Sequence, residues 1–94
     1  MVSAPEALAI GMISEVVSDG RILTRAHELA AEIAALPALA VAQIKEVMLA
    51  GADLPLDGAL ALERKAFQLL FDSKDQREGA AAFLGKRKAN FTGQ

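Results

Sequence analysis

Three consecutive cations, Lys86-Arg87-Lys88, form the densest cluster of chemistry-bearing side chains in the sequence. Groups of this kind can do one of two things. At the C-terminal end of a helix they stabilise the exposed carbonyls and the negative pole of the helix dipole. Otherwise they can pair with an anion, phosphate above all, through charge-assisted hydrogen bonds. Phe83 and Phe91 flank the cluster and read as aromatic anchors that would dock the segment after the last helix.

The carboxylates offer less. Glu6, Glu63 and Glu78 lie nearest to apolar residues, the setting in which a general base is tuned. Caps and solvated helix flanks explain them better: Glu6 closes a capping box with Ser3, and Glu78 falls near the start of a helix, where its charge opposes the dipole. His27 stands beside Ala26 with no serine or carboxylate at a catalytic spacing, and reads as a surface or boundary histidine. No pair of His or carboxylate positions has a recognisable metal-ligand spacing, and cysteine is absent. Neither a catalytic nor a metal-binding residue is therefore assigned.

The elements that must position these groups are helical. Ser3, Pro5 and Glu6 open a short helix that Gly11 stops in a left-handed turn. Residues 13–17 form a β-branched run with little helical period, a small extended segment if a partner strand exists. Over residues 20–36, Ile22, Ala26, Leu29, Ile33 and Leu36 recur at helical spacing, with Arg21, Arg25, Glu28 and Glu32 opposite and Arg25 set to pair with Glu28. Pro37 ends that helix and starts another, whose face is Val41, Ile44, Val47 and Met48, up to Gly51. Residues 52–55 are a loop. Residues 56–71 make a helix with apolar residues on more than one face, which predicts burial on several sides. Ser73 and Gln76 form a second capping box, opening a last helix over residues 74–86 or 87, with Asp75 favourable to its dipole. The rest is tail.

Composition bounds the function classes. The 94 residues suit one small domain with a marginal core, yet 53% are hydrophobic and mean hydropathy is +0.31. Either the chain is an alanine-rich bundle, or it is a piece whose partner surface is supplied from elsewhere. A formal charge of -2 and a pI near 5.3 give no basic field for nucleic acid or an anionic membrane. With no signal pattern and no apolar run of spanning length, the expectation is a soluble cytoplasmic protein that binds neither.

Two stretches carry a family resemblance. Residues 73–91, SKDQREGAAAFLGKRKANF, and residues 4–17, APEALAIGMISEVV, resemble the C-terminal signature of the enoyl-CoA hydratase/isomerase (crotonase) superfamily and the segment that follows its catalytic part. The resemblance runs from end to end. It implies an all-α chain of about four main helices plus a short N-terminal helix, equivalent to the C-terminal helical region of the crotonase fold. Residues 1–94 would then be a single region lacking the catalytic core. In the family, two backbone N–H groups, one in a glycine-rich loop, polarise a thioester carbonyl, and two glutamates handle the water. Charge develops on the thioester oxygen, so such donors must be preorganised. No glycine-rich loop of that kind is present, and the resemblance assigns no catalytic residue here.

What the resemblance does imply is substrate binding. Lys86 matches a lysine near the adenosine diphosphate end of coenzyme A, and Phe67 matches a phenylalanine near bound coenzyme A, often from a neighbouring subunit. Phe83 is part of the same pattern, with any ligand contact secondary. Gly85 replaces a good helix former, weakening the last turn by about 1 kcal/mol relative to alanine on propensity alone, and Ala89 stands where many members have proline. The expected activity of the complete enzyme is hydration of a trans-2-enoyl-CoA to a 3-hydroxyacyl-CoA, with acyl-CoA as substrate and no cofactor. This chain would supply oligomer contacts, in a trimer or dimer or against a crotonase core, and part of the pocket cover. The alternative is a free-standing, non-catalytic helical module for self-association or partner binding.

Overall fold

The computed structural model describes all 94 residues, Met1–Gln94. It contains helices and no strand: α1 (Ala4–Ala9), a 3-10 turn (Asp19–Arg21), α2 (Ile22–Ala34), α3 (Ala38–Gly51), α4 (Leu56–Leu70) and α5 (Lys74–Leu84). The expected all-α class, four main helices and a short N-terminal one, is what is found. The chain divides into two compact units, Met1–Ala31 and Glu32–Gln94, with the boundary inside α2. No single helix is long and apolar enough to cross a membrane.

In the first unit, local sequence dictates local structure. The Ser3 hydroxyl accepts the Glu6 N–H at 3.4 Å, and the Glu6 carboxylate accepts the Ser3 N–H at 2.8 Å, so the capping box is complete. These bonds favour the ionised form, and the backbone N–H of Ser3 above all holds the Glu6 carboxyl below its ordinary value. At the other end of α1, Gly11 takes φ +74°. Its N–H reaches the Leu8 carbonyl at 3.1 Å, and the Met12 N–H reaches Ala7 at 2.8 Å, the paired bonds of a Schellman turn. Residues 13–17 find no strand to pair with and remain irregular. That segment brings Glu15 to Arg25, whose Nε donates to both carboxylate oxygens at 2.9 and 3.1 Å. Arg25 thus takes its closer partner from ten residues upstream, with Glu28 second at 3.5 Å.

In the second unit, Pro37 and Pro55 stand at the N-caps of α3 and α4 with φ near −59° and −56°, the value their rings impose at a helix entrance. Helices α3 and α4 pack together, with Gly51 facing Ala59. Only small apolar side chains are buried, Ala66 here and Ala82 on α5. The expectation that α4 is buried on several sides is not met within this chain. Phe67 is 61% exposed and Leu69 69%, because the extensive packing of α4 is against α3, on one face.

Two details of α5 differ from the sequence expectation. The Ser73 hydroxyl caps the Gln76 N–H at 3.1 Å, but the Ser73 N–H bonds the Leu70 carbonyl at 3.1 Å, so a reciprocal bond from Gln76 has no donor left to accept. The helix also ends at Leu84, two or three residues short of the expected 86 or 87. Gly85 is its C-cap at φ −78° and not an interior residue, so the propensity penalty assigned to it does not apply there.

Candidate functional site

The cations of residues 86–88 sit where α5 turns back on itself. The Lys86 N–H bonds the Phe83 carbonyl at 3.2 Å and the Arg87 N–H bonds Ala82 at 3.0 Å, the same pair of bonds that ends α1. The turn needs one left-handed residue after the C-cap. In α1 that residue is glycine. Here the glycine comes one position early, and the left-handed conformation falls on Lys86, with φ +49°. A side-chain-bearing residue there costs roughly 1–2 kcal/mol, which other contacts must offset.

Those contacts come from two carboxylates of α5. Arg87 Nη1 and Nη2 donate to Glu78 Oε1 and Oε2 at 2.6 and 2.9 Å, a bidentate clasp, and the Asn90 N–H donates to Glu78 Oε1 at 2.8 Å. One turn nearer the start of the helix, Asp75 is only 2% exposed. It accepts the Thr92 and Gly93 N–H groups at 2.7 and 2.8 Å and the Thr92 hydroxyl at 3.4 Å. The Asp75 N–H in turn donates to the Gln94 carbonyl at 2.9 Å, and Lys74 Nζ reaches the Gln94 side chain at 2.8 Å. The residues read as a tail docked by aromatic anchors are a strap laid back along α5, held chiefly by backbone bonds to Asp75 and Glu78. Phe91 rests with its ring beside Gly79 on α5.

The clasp has a pH signature. Hydrogen bonds from Arg87 first, then from the Asn90 N–H, hold the Glu78 carboxyl down to about 2, from an ordinary 4.5. A depressed folded-state pKa means that the stabilisation is complete above 4.5 and is lost as pH falls from there through 2. Exchange protection of the Asn90 amide, followed by NMR as pH is lowered, is expected to persist at pH 4 and to disappear near pH 2. Disappearance already at pH 4 would mean the clasp is not formed.

The residues expected to bind substrate come from two elements, α4 and the end of α5. Lys86 and Phe83 share the end of α5, and the Lys86 ammonium enters none of the chain's ion pairs. Phe83 is 84% exposed and does not anchor the strap; Phe91 alone of the two flanking aromatics does so. Phe67 belongs to α4, edge-on to Phe71 with ring centroids 4.9 Å apart. It borders an open apolar cleft of about 440 Å³ that Leu39, Phe71 and Phe91 also line, and Lys86 is not part of its wall. Exposure also removes Phe67 from the chain's own core, where packing would have placed it.

The acids behave as scaffold. Asp72 binds Arg77, Glu15 binds Arg25, and Glu6, Asp75 and Glu78 are committed as described. Glu63 is exposed on α4 and His27 is exposed on α2. No three His, Asp or Glu side chains come close enough to hold a metal ion. The arrangement can bind an anion at Lys86 and present apolar faces. It does not set two carboxylates across a reacting bond. Sequence reasoning missed the strap-holding role of Asp75 and the Glu78–Arg87 pair, because their partners are backbone N–H groups and a guanidinium nine to eighteen residues away.

Comparison with known proteins places this geometry. The family model for enoyl-CoA hydratase/isomerase matches residues 1–94. A probable enoyl-CoA hydratase from Rhizobium meliloti is 42% identical over 91 residues, 97% of this chain and 35% of that protein. The 1,2-epoxyphenylacetyl-CoA isomerase of Escherichia coli is 39% identical over 98% of this chain and 35% of its own length. Among solved structures, an enoyl-CoA hydratase from Geobacillus kaustophilus superposes with a TM-score of 0.93 at 44% identity, over 98% of this chain and 36% of that one. The chain thus spans about a third of the length of the relatives it matches.

Proposed function

The chain belongs to the enoyl-CoA hydratase/isomerase family, and from that premise we propose that it is the C-terminal third of an acyl-CoA-processing enzyme that hydrates trans-2-enoyl-CoA to 3-hydroxyacyl-CoA. Its own part is to bind and cover. Lys86 pairs with a phosphate at the adenosine diphosphate end of coenzyme A, while Phe83 and Phe67 give aromatic surface to the bound substrate. The apolar faces of α3, α4 and α5 meet the rest of the enzyme or further copies of the chain. The observation that carries this reading is the division of labour among charges. The carboxylates with shaped surroundings are used to fold the chain, and the left-handed Lys86 at the helix end is left exposed and unpaired.

Hydration needs donors for an enolate oxygen and placed proton acceptors, which usually supply most of the rate acceleration. On this reading those groups lie in the other two thirds of the enzyme. The test joins the first two thirds of the Geobacillus kaustophilus hydratase to residue 1 of this chain. The isolated chain is expected to leave crotonyl-CoA untouched, and the joined enzyme to hydrate it. In the joined enzyme, Lys86→Ala should raise KM for crotonyl-CoA several-fold, about 1 kcal/mol, with kcat nearly unchanged. The effect should shrink with salt and vanish for a short thioester lacking the adenosine diphosphate portion. Turnover by the isolated chain, abolished by mutating one of its own carboxylates, would falsify the proposal. An inactive joined enzyme with a self-associating isolated chain would favour the free-standing module.

A further inference from the structure

Lys86 is held in an unfavourable backbone conformation by groups that are not its own neighbours in the helix. Its φ of +49° is set by the turn, yet its ammonium enters no ion pair or hydrogen bond, so the side chain's charge contributes no restraint. The restraint lies just beyond it. Arg87, the next residue, is gripped at both guanidinium nitrogens by both oxygens of Glu78, and Asn90, four residues on, gives its N–H to the same carboxylate. Arg87 Nη1 also donates to the Lys88 carbonyl at 3.2 Å, which ties the intervening backbone to the same guanidinium. Residues on the C-terminal side of Lys86 are thereby fixed to a point on α5 two turns upstream.

We propose that Glu78 is a positioning residue for substrate binding: by clasping Arg87 and the Asn90 N–H it keeps Lys86 in the left-handed turn and so fixes where its ammonium meets the coenzyme A phosphate. This rests on the reading of Lys86 given above. Glu78 itself touches no substrate. The division of the basic cluster follows from it, with Arg87 spent on geometry and Lys86 left for the ligand. The clasp also stays ionised throughout the pH range in which such an enzyme works, because the Glu78 carboxyl is held to about 2. Phosphate recognition should therefore show no acid limb from Glu78 above about pH 4.5, where the sign of the shift leaves the clasp intact.

The experiment uses the joined enzyme. Glu78→Gln keeps the size and one acceptor but loses the charged, bidentate grip. It is expected to raise KM for crotonyl-CoA several-fold, as Lys86→Ala does, with kcat within about twofold, and to leave a short thioester without adenosine diphosphate unaffected. Arg87→Gln, which breaks the clasp from its other side, should do the same, and it keeps the idea testable if Glu78→Gln folds poorly. The deciding measurement is the double variant. Because Glu78 acts only through Lys86, Glu78→Gln added to Lys86→Ala should raise KM no further. Multiplying effects, or an equal effect on the short thioester, would overturn the proposal and leave Glu78 as a fold-stabilising residue. A Lys86→Ala variant with unchanged KM would instead overturn the reading of Lys86 itself.

Discussion

Replacing Asp75 by alanine is expected to release the C-terminal strap and to cost about 3 kcal/mol of stability, a large share of what a domain of this length possesses. The carboxylate is 2% exposed and accepts two backbone N–H groups and a hydroxyl from residues seventeen and eighteen positions away. Hydrogen bonds to a charged group contribute more than neutral ones, and here the positive end of α5 adds to them, since Asp75 lies in its first turn. Asp75→Asn retains one acceptor oxygen and should lose roughly half as much. Denaturant unfolding of the joined enzyme or the isolated chain reads the loss, and amide exchange at Thr92 and Gly93 reports where it occurs. A cost below 1 kcal/mol with unchanged exchange would show that the strap is held by other means, Phe91 against Gly79 first among them.

That residue also shows what a sequence can and cannot disclose. Ser3, Glu6 and Gly11 were legible because each acts within three or four residues, where helix geometry alone fixes the partners. From sequence alone Asp75 reads as a dipole-compensating acid, which is true but minor. Its main partners lie beyond a reversal of the chain, and no local periodicity encodes them. Glu78 and Arg87 are nine apart, outside the three- and four-residue spacings that helical pairs use, and meet only because α5 stops at Leu84. The shift of the left-handed position from Gly85 to Lys86 has the same character: composition favours the glycine, but the phase at which the helix ends selects the lysine. The helices themselves were legible throughout, because Pro37 and Pro55 delimit them and apolar spacing fills them. What covers their outer faces was not, since periodicity gives a face without naming its neighbour.

Those faces carry the second large expectation, which is that the isolated chain will not remain a monomer. In Glu32–Gln94 the surface left open is wide, since the only apolar side chains buried there are alanines. It is also apolar where it matters: on α3 and α4, Ile44, Met48, Phe67 and Leu69 stand exposed, and Phe83 and Leu84 end α5 with more than four fifths of their surface open. Patches of this kind on a soluble chain are covered by a partner surface or drive association. In the joined enzyme the preceding two thirds are expected to cover part of them. Alone, the chain should sediment as a dimer or trimer at micromolar concentration, dissociating on dilution, with hydrophobic-dye binding that falls as it assembles. A monodisperse monomer across that range, unfolding in one cooperative thermal transition, would mean that alanine-sized contacts such as Ala66 and Ala82 close a sufficient core without help.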